Sequence, residues 1–216
     1  MPRPSRNVDA ALLEAGRALY PGTGVARLSV RKVAEHAGVN LGMFHYHFGS
    51  KEAFVRALLQ QLYDGMFADL TLAAGSDRRP VEALRAAMNV LARFVRDNRM
   101  LLRRLLTDAL NDEPIALAFV RANLPRHIGV VAALIEAGQR AGALKPVVPR
   151  QALAFVAGGV GAPILLGSVL SERDGVPEGL RRSFQRDVVS DRALAERVDL
   201  VLAGLSRSAP ARTRTR

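Results

Sequence analysis

Residues 29–51, Ser-Val-Arg-Lys-Val-Ala-Glu-His-Ala-Gly-Val-Asn-Leu-Gly-Met-Phe-His-Tyr-His-Phe-Gly-Ser-Lys, constrain the fold more tightly than any other stretch of this chain. Ser29 is placed to cap a helix, and Val30, Val33, Ala34 and Ala37 then recur at i, i+3, i+4 and i+7, which is one helical face. Gly38 stands where a helix ending in a left-handed residue wants glycine, and Val39 plugs the turn. From about Asn40 the chain turns helical again, with Phe44 and Phe48 facing inward and Leu41, Gly42, His45 and Tyr46 outward. Gly49-Ser50 closes that helix and caps the next. Two short helices, a three-residue turn with glycine and an exposed polar-aromatic second helix make a helix-turn-helix.

The run VRKVAEHAGVNLGMFHYHFGSKEAF resembles the DNA-binding signature of the tetracycline-repressor (TetR) family of bacterial transcription regulators. The marks are Val-Ala-x-x-Ala-Gly-Val at 33–39, Gly42, the aromatic cluster 44–48 and Ser-Lys-Glu at 50–52. The match covers about the first quarter of the chain; beyond it, length and helical layout agree. The resemblance implies that Asn40, Leu41, Gly42, Met43 and His45 lie in the major groove. There Gly42 permits close approach, Asn40 reads adenine, and Leu41 or Met43 packs on a thymine methyl. Tyr46 and His47 donate to phosphate oxygens. Lys51, a cation in the first turn of a helix, conflicts with the helix dipole unless a phosphate docks there. Arg31 is placed as in relatives that contact backbone or base, and Ser29 and Val30 beside it complete the DNA-facing set. Many family members carry lysine or another polar residue where this chain has Leu41, so its operator cannot be borrowed from a relative.

His45-x-His47 does not read as a metal site, because i and i+2 point apart on a helix and no carboxylate or cysteine accompanies them. The chain contains no cysteine, which excludes disulfides, zinc fingers and thiol nucleophiles. Its formal charge of +11 favours a polyanionic partner, although arginines are scattered through 78–104 and the tail as well as the motif. The basic, proline-broken start Met-Pro-Arg-Pro-Ser-Arg is not followed by an apolar run and cleavage site, so a cytoplasmic location is expected.

The remainder reads as all-α: a three-helix DNA-binding domain (1–52), a larger effector-binding and dimerisation domain (53–206) and a disordered basic tail (207–216). Helix 1 is expected from about residue 7 to Tyr20, ended by Pro21-Gly22-Thr23-Gly24. A helix capped by Ser50 runs to about Ala74, roughly 35 Å at 1.5 Å per residue, long enough to couple the two domains. Residues 151–171 carry no charge, which admits a membrane span or a helix buried between two copies; the resemblance favours the latter. The stretch 172–190 reads as a loop with a short helix. Val160 and Ile164, with Leu194, Val198, Val201, Leu202 and Leu205 of an amphipathic last helix, form the expected two-fold four-helix interface.

No catalytic constellation is present: neither Gly-x-Ser-x-Gly, His-Glu-x-x-His, a P-loop nor a Rossmann fingerprint. The chain is read as a non-enzyme without cofactor or metal. By helical phase, Leu62, Met66, Leu91, Phe94, Phe119, His127 and Phe155 line an effector pocket or form plain core. The expectation is a homodimeric repressor that binds a palindromic operator in double-stranded DNA, leaves it when a small molecule binds, and has no membrane partner. The alternatives are a TetR-like activator or protein-responsive regulator, and a membrane-associated basic helical protein.

Overall fold

A computed structural model describes residues 6–75, 78–171 and 175–207, without the side chains of residues 6, 7 and 170. The basic arm (1–5) and most of the basic tail (208–216) lie outside the described residues. Among those described, the structure is helical, with one isolated bridge between Leu144 and Ser206. The helices are α1 (Arg6–Arg27), α2 (Val30–His36), α3 (Leu41–Phe48), α4 (Lys51–Ala74), α5 (Pro80–Asp97), α6 (Arg99–Leu110) and α7 (Pro114–Arg140). Then come α8 (Pro149–Val156), a π-turn (Ala157–Gly161), α9 (Ala162–Ser171), α10 (Glu178–Phe184), a second π-turn (Gln185–Val189) and α11 (Asp191–Leu205).

The chain forms two compact units. The first comprises 1–68 and 97–126, so it contains the whole of 1–52 together with much of α4, with α6 and with the first half of α7. Its core joins Leu12, Ala15 and Tyr20 of α1 to Val33, Phe44, Phe54 and Leu59, and to Leu101 and Leu105 of α6. A buried clasp fixes α1 to α6. Asp108, 4% exposed, accepts from the Tyr20 hydroxyl (3.0 Å) and the Val25 N–H (3.0 Å), and Arg104 pairs with its other oxygen at 2.6 Å. Burial first, then the Asp108 charge, pushes the Tyr20 hydroxyl above its ordinary range.

The second unit, 69–96 and 127–216, is built on Leu84, Met88 and Ala92 of α5, Ile135 of α7, Val156, Val160 and Ile164, and the apolar face of α11. Gly159 lets α11 approach closely: a Cβ there would lie 2.5 Å from a Val201 methyl. Arg96 and Asp191 pair at 2.5 Å on the rim, which holds the Asp191 carboxyl below its usual range.

Two elements depart from the sequence reading, and a third crosses a proline. Helix α1 continues past Tyr20 and Pro21 to a break at Gly24, whose φ of 63° and ψ of −173° leave the helix. Proline costs a helix one hydrogen bond, and here the packed α1–α6 face outweighs it. Glycine suits position 24 because an L side chain is strained at this φ and ψ, and a Cβ would also displace the Arg104 guanidinium. The segment 178–189 is helical rather than loop, since Phe184 and Val189 are anchored in the second core. Helix α7 passes through Pro125 without ending and stops at Gly142, φ 69°.

Candidate nucleic-acid interface

The motif is built as its capping residues dictate. Ser29 is extended, and its hydroxyl accepts from Lys32 N–H at 3.4 Å to start α2. Gly38, φ 68°, ends α2; its N–H donates to the Glu35 carbonyl, and Val39 N–H donates to that of Ala34. Asn40 is the N-cap of α3, and its Oδ1 accepts from Met43 N–H at 3.0 Å. Gly42 serves that cap: a Cβ there would stand 3.1 Å from Asn40 Oδ1. Gly49, φ 69°, ends α3, and Ser50 caps α4 through Ala53 N–H at 3.1 Å.

Phe44, fully buried, locks α3 in place. Its ring packs on Phe48 (5.8 Å between centroids) and Phe54 (5.1 Å), and Phe48 meets Phe54 edge-on at 5.0 Å. Aromatic pairs of this geometry contribute about 0.5–1.5 kcal/mol each beyond their area burial. With that side sealed, Leu41 (40% exposed), His45 and Tyr46 (70% exposed) face out.

The structure assigns several site residues a task that spacing did not reveal. Asn40 faces outward, but its Oδ1 is committed to the cap; only Nδ2 is left for a base, whereas a bidentate adenine contact needs both atoms. Val30 is half-buried against the core, and Met43 is half-buried. His45 Nδ1 lies 3.2 Å from the Gly49 carbonyl; a carbonyl only accepts, so in the neutral ring Nε2 remains an acceptor. His47 is half-buried with Nε2 enclosed and unpaired, which leaves Nδ1 for an outside partner. Arg31 is exposed and paired with Glu35 at 2.8 Å. Exchanging that pair for a phosphate costs under about 1 kcal/mol. The Lys51 ammonium donates to the Ala26 carbonyl at 3.4 Å. Beside it, the Glu52 carboxyl is held below its usual range by its own backbone N–H, then by the Ser50 hydroxyl, so the start of α4 already carries an anion. Arg27, Lys32 and Arg56 are exposed cations flanking the motif that the sequence reading passed over; their signal was charge beside a capped helix.

The seven pocket residues divide between the units. Leu62, Met66 and Phe119 belong to the first, where Leu62 lines a cleft and Phe119 meets Tyr63 edge-on at 6.1 Å. Leu91, Phe94, His127 and Phe155 belong to the second, and Phe155 is 48% exposed. The seven residues expected at the dimer interface, Val160, Ile164, Leu194, Val198, Val201, Leu202 and Leu205, are all buried in the core of the second unit. The strongest apolar stripe of each helix is consumed internally. Phe155, Leu166 and Leu200 of the same helices are exposed. Among the described residues no group of three or more His, Cys, Asp or Glu is placed to hold a metal ion.

Residues 12–58 match the model of the family described as bacterial regulatory proteins, tetR family. The transcriptional repressor KstR2 of Mycobacterium tuberculosis is 36% identical over 73 residues, 34% of this chain. The chain thus spans 36% of the length of that curated relative. The regulator RutR of Escherichia coli is 28% identical over 155 residues, 70% of this chain and 73% of its own. Among solved structures, KstR2, described as a ketosteroid transcriptional regulator, superposes with a TM-score of 0.68 at 20% identity, covering 96% of this chain and 98% of its own. PfmR of Thermus thermophilus superposes with a TM-score of 0.64 at 25% identity, covering 91% and 99%.

Proposed function

We propose that the chain, whose residues 12–58 match the model of the tetR family of bacterial regulatory proteins, is a sequence-specific DNA-binding transcriptional regulator of that family, a homodimeric repressor released from its operator by a small-molecule effector. The observation that carries the reading is the face of α3. Capped at both ends and seated on Phe44, this eight-residue helix presents Leu41, His45 and Tyr46 to the outside. A short helix held that firmly has its exposed residues pre-positioned for a groove. Leu41 supplies an apolar contact for a thymine methyl, and Tyr46 and Nδ1 of His47 supply phosphate contacts. Asn40 sets the start of the helix and offers Nδ2 alone to a base. Arg31 and Lys51 add backbone charge.

A second copy is the partner we assign to the face formed by α8, α9 and α11. The helix Pro149–Val169 has a mean hydropathy of 1.9, and only 28% of its most apolar window is buried in the protomer. Phe155, Leu166 and Leu200 lie exposed on this side. Length and composition would also let this helix cross a membrane, but Val156, Val160 and Ile164 hold one of its faces in the second core. Its other face then needs a protein cover, and a two-fold helix pair supplies one. Two α3 helices in such a dimer read half-sites about 34–36 Å apart. Residues 1–52 are thus the DNA-reading part, and the rest carries dimerisation and the effector response, in the cytoplasm where the DNA lies.

The test is footprinting on the DNA flanking the chain's own gene, together with sedimentation of the free protein. Two protected half-sites about one helical turn apart, with a dimer mass, support the reading. Protection without sequence preference overturns it.

A further inference from the structure

The first unit holds a cleft of about 360 Å³ that DNA contact does not use. Its floor is apolar: Leu58 and Leu101 are buried, and Leu13 and Leu62 half-buried. Its rim carries Glu14 and Arg17 of α1 and the neutral Gln61 of α4, all exposed. A cleft of this volume, with apolar side chains at its base and polar groups at its edge, has room for a small molecule.

Gly65 in the wall is a second observation. It lies inside α4, where glycine costs about 1 kcal/mol against alanine. Gly16 answers to sterics, since a Cβ there would stand 2.5 Å from the Phe54 ring, and Gly38 and Gly49 answer to a left-handed backbone. At Gly65 a Cβ meets nothing within 4 Å, and the backbone is not left-handed. Neither packing nor conformation calls for glycine there. Its effect is to keep the wall of the cleft open.

The rim specifies the chemistry. Glu14 and Arg17 stand at i, i+3 on one face of α1, yet do not pair. Arg17 donates one N–H to Asn98 Oδ1 at 2.6 Å and keeps the rest of its fork, while Glu14 has no hydrogen bond or ion pair among the described residues. One carboxylate and one guanidinium side by side over an apolar floor complement a zwitterion with an apolar tail.

We propose that this cleft binds a free amino acid with an apolar side chain of leucine or phenylalanine size. The ammonium sits on Glu14, the carboxylate on Arg17, and the side chain on Leu58, Leu62 and Leu101. Titration calorimetry of the full chain with L-leucine and L-phenylalanine, without DNA, tests the site independently of the regulatory reading. One-to-one binding is expected. It should weaken about tenfold or more for N-acetyl-L-leucine and for L-leucine methyl ester, each lacking one charge, and equally for Glu14→Gln. Gly65→Leu should fill the cleft and abolish binding while its helical circular dichroism and melting temperature stay at or above those of the wild type. No heat from either amino acid up to about 10 mM overturns the proposal. So does binding that survives Gly65→Leu, or that ignores the loss of either ligand charge or of the Glu14 charge.

Discussion

Asn40→Ala separates what holds α3 from what reads DNA. The Asn40 side chain accepts from Met43 N–H at 3.0 Å, and the same N–H also lies 3.1 Å from the Asn40 carbonyl oxygen. Removing Oδ1 therefore weakens a shared bond at an exposed helix end, instead of stranding a buried donor. N-cap losses to alanine run about 0.5–2 kcal/mol, and this geometry puts the cost near 1 kcal/mol. For a chain of this size that lowers the melting temperature by about 2–4 °C. Asn40→Asp keeps an acceptor at the cap and adds a charge favourable to the helix dipole, so it should melt within about a degree of the wild type. The same aspartate puts a negative charge on the proposed DNA-binding face and should lower DNA affinity by roughly tenfold or more. Calorimetric melting and DNA titration of both variants form the assay. If Asn40→Ala melts with the wild type and Asn40→Asp is the destabilised one, the cap does not hold α3.

Other perturbations follow from the same geometry. Asp108→Ala strands the Tyr20 hydroxyl, Val25 N–H and Arg104, and should cost about 3–5 kcal/mol in urea unfolding, more than Tyr20→Phe at about 1 kcal/mol. Leu166→Glu with Leu200→Glu places charge on the exposed apolar face and should convert a dimer to monomers in sedimentation without loss of helical content. The Tyr20 hydroxyl is raised in the folded state, so the neutral form is the one the fold favours. Its contribution is complete below the unfolded value near pH 10 and is lost as pH rises beyond it. Urea midpoints should fall between pH 9 and 11.5 in the wild type, and fall less in Tyr20→Phe.

The motif was legible because its signals are local. Ser29, Gly38, Gly49 and Ser50 each answer to a cap or a left-handed residue within a few positions, and the Phe44–Phe48 spacing fixes the buried side of α3. What sequence hid was the competition for single atoms. Asn40 reads equally as cap and as base reader, and only the position of Met43 N–H decides. Pro21 reads as a stop, but the stop is three residues later at Gly24, because long-range packing on α6 carries α1 through. The α11 pattern of Leu194, Val198, Val201 and Leu205 identified an apolar face correctly, yet periodicity does not say whether the chain's own core covers it. Residues with the strongest spacing went to their own core, and the sparser Phe155, Leu166 and Leu200 were left outside. The pocket residues fell in two units because helical phase gives a residue's face but not its neighbours.

The central claim is that the exposed face of α3 binds operator DNA. Its most direct test is a titration of wild type and Tyr46→Ala against DNA from around the chain's own gene, at several salt concentrations. Tyr46 is 70% exposed and supports no core contact, so its loss leaves the fold intact. The account predicts tight, sequence-selective binding by the wild type that weakens steeply with salt. Tyr46→Ala should weaken on every duplex, with sequence preference unchanged. Equal affinity of both proteins for all duplexes would contradict it.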